Sequence, residues 1–198
     1  MHVEGPSPGG PSRWYKRRVR RVASLLAVAL LAGCGSHAPG GIPPSKARTL
    51  VLQPPDLPPG FRSIGAGAQN PFTARDTDPK RFGRKGGWYA DYRRAPGAAA
   101  GPLIVQSQVD VFGDAKGAHR ELEADRARLR AARPIPVAQI GDESFAAAVE
   151  GTGAPGALIY TFVWRRQNVT SSLVVTGLRG KLRLSQAVPL ARRAAASG

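Results

Sequence analysis

From Trp88 onward, apolar and polar residues alternate along the chain in two-residue steps. Trp88, Ala90 and Tyr92 share one side of an extended run. After a Pro/Gly/Ala loop at 95–102, Leu103, Val105, Val109 and Val111 share one side of a second run, while Gln106, Gln108 and Asp110 share the other. Period two on consecutive runs predicts an antiparallel hairpin with one packed and one wet face. Gly113-Asp114 then breaks the strand. A helix is expected over 114–132, with Asp114 as its N-cap and Ala115, Ala118, Leu122, Leu129 and Ala132 on its inner stripe; Arg133-Pro134-Ile135-Pro136 ends it.

A second unit repeats this order. Phe145–Val149 reads as a short strand after the turn Gly141-Asp142-Glu143, and Leu158, Tyr160, Phe162 and Trp164 alternate along the next. Gln167-Asn168 makes a tight reversal, Val169–Thr176 returns, and 184–196 is helix-like, with Pro189 arguing for a late start. Tyr92-Arg93-Arg94 corresponds to Trp164-Arg165-Arg166. The pattern predicts a duplicated strand-strand-helix unit, folded as an α+β two-layer sandwich: a mainly antiparallel sheet with two helices on one face. Upstream, Thr49–Leu52 and Phe61–Ile64 are short strand candidates and the Gly-rich stretch 65–87 reads as loop. Asp76-Thr77-Asp78 begins like a calcium loop, but Pro79 and Lys80 interrupt it and no closing Glu follows.

The chain before this domain has a different grammar. Arg13, Lys16, Arg17, Arg18, Arg20 and Arg21 form a basic block, followed by an uncharged, largely apolar run of 11 residues (22–32). That is too short for a hydrocarbon core needing roughly 20 residues, and it has the form of a secretory h-region. Leu31-Ala32-Gly33-Cys34 follows, and these residues resemble the lipobox of bacterial lipoproteins. The resemblance implies cleavage before Cys34 and a lipid anchor on it, including fatty-acyl chains of the palmitate kind. Two or three chains, at about 0.8 kcal/mol per buried methylene, hold a protein on a membrane where one is marginal. The expected organisation is a signal peptide at 1–33, a flexible Gly/Pro-rich tether at 34–47 and a single α+β extracytoplasmic domain at 48–198. His37 falls in the tether with no second ligand near it.

Composition narrows the chemistry. Cys34 is the only cysteine, so the folded part has no thiol for a disulfide or a metal. The formal charge is +16; six bases and one acid precede Cys34, leaving 23 bases and 12 acids, or +11, for residues 34–198. Such a domain is attracted to anionic headgroups, wall polymers or acidic ligands; Arg-rich usage in a chain heavy in Ala, Gly and Pro accounts for the charge equally well. The expected compartment disfavours nucleic acid. His119 is the only histidine of the folded part, no nucleophile elbow, P-loop or dinucleotide fingerprint occurs, and the adjacent Asp142 and Glu143 read as a turn. No enzyme, cofactor or metal site is expected. Two constellations remain as candidate ligand-binding residues: Arg93, Arg94, Arg165 and Arg166, which the duplication would place at equivalent hairpin ends to grip phosphate or carboxylate; and the aromatic stripe around Trp88 and Trp164, either core or an apolar groove. Asn168-Val169-Thr170 matches a glycosylation sequon, although Asn also suits a hairpin turn.

With the lipobox, Leu57-Pro58-Pro59-Gly60-Phe61, Gly141-Asp142-Glu143 and Trp164-Arg165-Arg166-Gln167-Asn168-Val169, the chain is similar to actinobacterial cell-envelope lipoproteins. More distantly, it resembles the sensor domains of receptor-type serine/threonine kinases. Those domains carry paired cysteines that this chain lacks, so no binding residue transfers. The resemblance implies a non-catalytic binding module for an envelope ligand or protein, in sensing or envelope maintenance, anchored to the outer face of the membrane. The alternatives are a basic structural module adhering to anionic wall polymer and a weak carboxylate hydrolase using Asp91, Asp142 and Glu143.

Overall fold

The computed structural model describes residues 40–68, 80–95, 100–151 and 156–197. Residues 1–33, Cys34, His37 and the Asp76–Asp78 turn lie outside them. Among the described residues, one antiparallel sheet contains β1 (Phe61–Ala68), β2 (Arg84–Arg94), β3 (Pro102–Phe112), β4 (Arg133–Pro134), β5 (Glu143–Glu150), β6 (Ala157–Arg166) and β7 (Val169–Leu178), in the order β1-β2-β3-β7-β6-β5-β4. Helix α1 spans Ala115–Arg128 and α2 spans Leu184–Ala196. The α+β class and the antiparallel sheet are those the alternation predicts. Each half is a three-strand meander followed by a helix, one strand more than the expected unit, and β3 and β7 join the halves.

The element ends have local causes. The Asp114 carboxylate accepts from the Gly117 N–H at 2.7 Å, capping α1 as expected. Gln167, at φ 54°, takes the left-handed position of the β6–β7 reversal, so its neighbour Asn168 is available for other work. The Gly-rich stretch expected as loop is strand up to Ala68 and again from Arg84, and the Tyr89 ring packs over Gly65 and Gly67, 3.5 and 3.4 Å from the Cβ position of each. Pro189 does not delay α2. The helix starts at Leu184, with the Gln186 side chain accepting from the Arg183 N–H, and is held by its buried stripe Ala187, Leu190, Ala191 and Ala194.

The helices depart from the expectation that both lie on one face. On the front of the sheet, Tyr92, Val105, Val109, Leu173, Val175, Tyr160, Phe162 and Trp164 are buried in one core with the α2 stripe, Leu182 and residues 47–57. The alternate side chains point to the back, where α1 lies over β3, β7 and β6 and the Thr170 hydroxyl donates to the Ala118 carbonyl at 2.8 Å. The N-terminal segment explains the difference. A 3-10 helix at Pro44–Thr49 and the following Leu50-Val51-Leu52 occupy the front of β2 and β3. The Leu52 N–H donates to the Ser107 hydroxyl at 3.1 Å and the Tyr92 hydroxyl donates to the Leu52 carbonyl at 2.7 Å. With the front taken, α1 packs behind.

The same segment corrects the tether. Ala47 is buried, Ile42 packs on the core, and the Asn168 side chain bonds the Ile42 N–H and C=O at 2.7 and 3.0 Å. Residues 42–47 therefore belong to the domain; residues 34–39 lie outside the described residues. The short strand expected at Thr49–Leu52 is 3-10 helix and irregular chain. Within the described residues no helix is long and apolar enough to cross a membrane.

Candidate functional site

The register separates the aromatic pair. Trp88, Val109, Ser171 and Trp164 lie in one row across β2, β3, β7 and β6, all on the front. Trp164 is 3% exposed and sealed under the front layer, whereas Trp88 is half-buried with the Arg48 guanidinium 5.7 Å from its ring centroid. Two strands stand between them, so together they line core rather than a groove.

The four arginines are likewise not brought together. Arg93 shares a row with Ile104, Thr176 and Ile159, and Arg165 lies six residues further along β6, roughly 20 Å at the strand rise of about 3.3 Å per residue. Because β2 and β6 run in opposite directions, their ends fall at opposite ends of the sheet. Arg94 and Arg166 project to the front and Arg93 and Arg165 to the back. Arg94 donates to the Ala100 carbonyl at 2.8 Å, closing the β2–β3 loop.

Arg165 is fully engaged. Its Nε donates to Glu143 at 2.9 Å and its Nη1 to Asp142 at 3.0 Å and to the Gln167 carbonyl at 2.8 Å. Asp142 also accepts from the Gln167 N–H at 2.8 Å. The turn acids therefore pin the β6–β7 reversal to the start of β5. His119 on α1 meets the other Glu143 oxygen through Nδ1 at 2.8 Å. Burial acts to raise the Glu143 carboxyl, but Arg165 and His119 outweigh it and hold it below its ordinary range. His119 and Glu123, one helical turn apart, and Glu143 offer ligand atoms within 4.8 Å of one another, the set among the described residues that could hold a divalent cation. A cation there would displace the His119–Glu143 hydrogen bond and the Glu123–Arg126 pair at 2.6 Å. The helical spacing was visible in the sequence; its approach to Glu143 was not. Asp91 lies at mid-strand on β2, four strands from Glu143, so the three carboxylates of the hydrolase alternative do not converge.

A second ionic network fixes α1 to β3. Arg84 pairs with Asp110, Arg128 with Asp125 and Glu121, and Arg81 with Glu121 at 2.9 Å. Burial pushes the Asp110 carboxyl up and the Asp125 carboxyl to about 6, against the pull of Arg84 and Arg128.

The open part of the back face holds a feature the sequence did not reveal. Arg62 on β1 stands directly opposite Arg93 on β2, both on the back and both exposed. Direct cross-strand partners have Cβ atoms about 5 Å apart, and like charges there cost up to about 1 kcal/mol. Among the described residues neither guanidinium has an acidic partner. The carboxylate two residues along the same face, Asp91, is engaged by the Gln106 side chain, with burial raising its pKa. Beside the pair the row continues through the half-buried Ile104, Thr176, Ile159 and Val149. The pairing was hidden because Arg62 lies 31 positions upstream in a stretch whose strand is longer than its periodicity suggested.

No protein-family model matches the chain, and no curated protein matches it. Among solved structures it is similar to the extracellular domain of PknH from Mycobacterium tuberculosis, with 12% identity and a TM-score of 0.59 over 79% of this chain and 96% of that one. At this identity the likeness is one of fold.

Proposed function

We propose that the chain is an extracytoplasmic lipoprotein whose single α+β domain binds an envelope ligand or partner and catalyses no reaction. The observation that carries the binding role is the fold shared with the extracellular domain of a mycobacterial PknH protein. The basic block, the short apolar run and the Leu31-Ala32-Gly33-Cys34 motif support export and anchoring through a lipidated Cys34. The groups a hydrolase would use have structural partners instead: Asp142 and Glu143 hold Arg165, and Asp91 is engaged by Gln106. The candidate ligand surface is the back of β1–β3 around Arg62 and Arg93, in place of the expected set of Arg93, Arg94, Arg165, Arg166, Trp88 and Trp164.

The test is metabolic labelling with an alkynyl fatty acid in a bacterial host, using the full chain with a C-terminal tag. The wild type is expected to take label, sediment with membranes and expose its tag to protease outside the cell, whereas Cys34→Ser takes no label. A wild type that carries no label, or keeps its tag protected inside, would overturn the placement. The net charge of +11 over residues 34–198 also favours a wall-adhering basic module. That reading predicts retention on purified wall that is lost progressively with salt and with any surface arginine removed, without a preferred pair.

A further inference from the structure

We infer that Arg62 and Arg93 form a two-armed site for a phosphate-type oxyanion at the edge of the sheet. The register sets the two side chains opposite each other on the back of β1 and β2. Both are exposed, and among the described residues neither meets a carboxylate. Every other arginine cluster described above is neutralised from within: Arg165 by Asp142 and Glu143, Arg84 by Asp110, and Arg81 and Arg128 by acids on α1. Of the arginine groups described above, this pair keeps two facing positive charges with no acidic partner among the described residues.

A phosphate group relieves it. Its oxygens accept from both planar guanidinium forks at once, which adds directional hydrogen bonds to charge, and a monovalent halide cannot reproduce that geometry. The backbone supports the clamp. Arg62 and Arg93 stand on adjacent strands whose ladder is closed just beyond them by the Ala95 N–H donating to the Gly60 carbonyl at 2.8 Å. The phosphate could belong to a soluble ester or to a membrane headgroup, since the recognised chemistry is the same.

This inference rests on the binding-domain reading, but its test is separate from lipid labelling of Cys34. Inorganic phosphate is titrated into the full ¹⁵N-labelled chain in neutral detergent at low salt, following the arginine Nε–H resonances. Saturable shifts of two arginines are expected, with affinity falling at least five-fold in Arg62→Gln and in Arg93→Gln, and less than two-fold in Arg120→Gln, an exposed α1 substitution of equal charge change. A second arm compares phosphatidylglycerol with phosphatidylcholine vesicles. Pair-dependent phosphate binding without pair-dependent vesicle binding assigns a soluble ester; pair-dependent vesicle binding assigns a headgroup. Shifts that fail to saturate, that chloride reproduces, or that all three variants weaken equally, together with vesicle binding indifferent to the pair, would overturn the site. Failure of labelling with an intact phosphate site would sink the envelope placement alone.

Discussion

One amide at Asn168 ties three parts of the chain: it donates to the Phe112 carbonyl at 2.8 Å and to the Ile42 carbonyl at 3.0 Å, and accepts from the Ile42 N–H at 2.7 Å. At 6% exposure it is a structural bracket, which leaves no room for a glycan on the sequon. Asn168→Ala strands buried backbone groups, each costing about 1–3 kcal/mol, so a loss of roughly 2–4 kcal/mol is expected in urea unfolding. Gln167→Gly tests the alternative that the reversal itself matters; removing the Cβ from a residue at φ 54° relieves left-handed strain, and a gain of about 1 kcal/mol is expected. Asp125 sets a pH dependence of unusual sign. Its folded pKa, about 6, lies above the unfolded value of about 3.9, so between these pH values the folded chain holds a proton that the unfolded chain has released. The group's contribution to stability is therefore greatest below pH 4, falls as pH rises towards 6 and is flat beyond. Asp110 shifts in the same direction, and Glu143, which is lowered, loses its contribution only as pH falls below about 4.3, outside the interval from pH 5 to pH 7. The urea midpoint is expected to be higher at pH 5 than at pH 7, with the difference shrinking in Asp125→Asn; a midpoint that rises with pH in the wild type would contradict it.

At the scale of elements, α1 is held by close approach as much as by its apolar stripe. A Cβ on Gly117 would lie 2.3 Å from the Phe82 carbonyl oxygen and 3.2 Å from the Phe112 Cβ. Helix propensity alone favours Gly117→Ala by up to about 1 kcal/mol. The packing reverses the sign, because backbone and ring must both move. A lowered melting temperature is expected for Gly117→Ala, and a gain would show that the turn at Arg81–Gly83 yields freely. This conflict also shows what was legible in the sequence. Period two located β2, β3 and β6, the Gln167-Asn168 reversal placed β7, and Asp114 marked the start of α1, because those signals lie within one element or its adjoining turn. The side on which α1 packs depends on residues 42–52, some 60 positions away, whose 3-10 helix has no periodic signature. The pairing of Arg93 with Arg62, rather than Arg165, follows from a strand register that a Gly-rich, bulged β1 conceals.

For the molecule as a whole, these contacts move the domain boundary towards the N-terminus. Its front core is closed on one side by α2 and on the other by the segment 42–57, so the segment supplies to β2 and β3 the cover that a helix would otherwise give. Removing residues 40–47 uncovers the front of β2, where Pro44 lies 3.3 Å from the Cβ position of Gly86, removes buried Ala47 and half-buried Ile42, and leaves Asn168 with two fewer partners. Full burial of an Ile is worth about 1.5–3 kcal/mol, and each lost hydrogen bond about 1. A domain cut at Arg48 is thus expected to unfold at a lower urea concentration than one cut at Gly40, by the equivalent of about 3 kcal/mol, with an unchanged dependence on denaturant. The comparison separates two roles for the segment. If it is part of the core, the difference narrows when Asn168→Ala and Ile42→Ala are introduced into the longer domain, because those contacts are then already gone while Pro44 and Ala47 stay in place. Equal midpoints for the two unsubstituted domains would return residues 40–47 to the tether and leave the placement of α1 on the back without its cause.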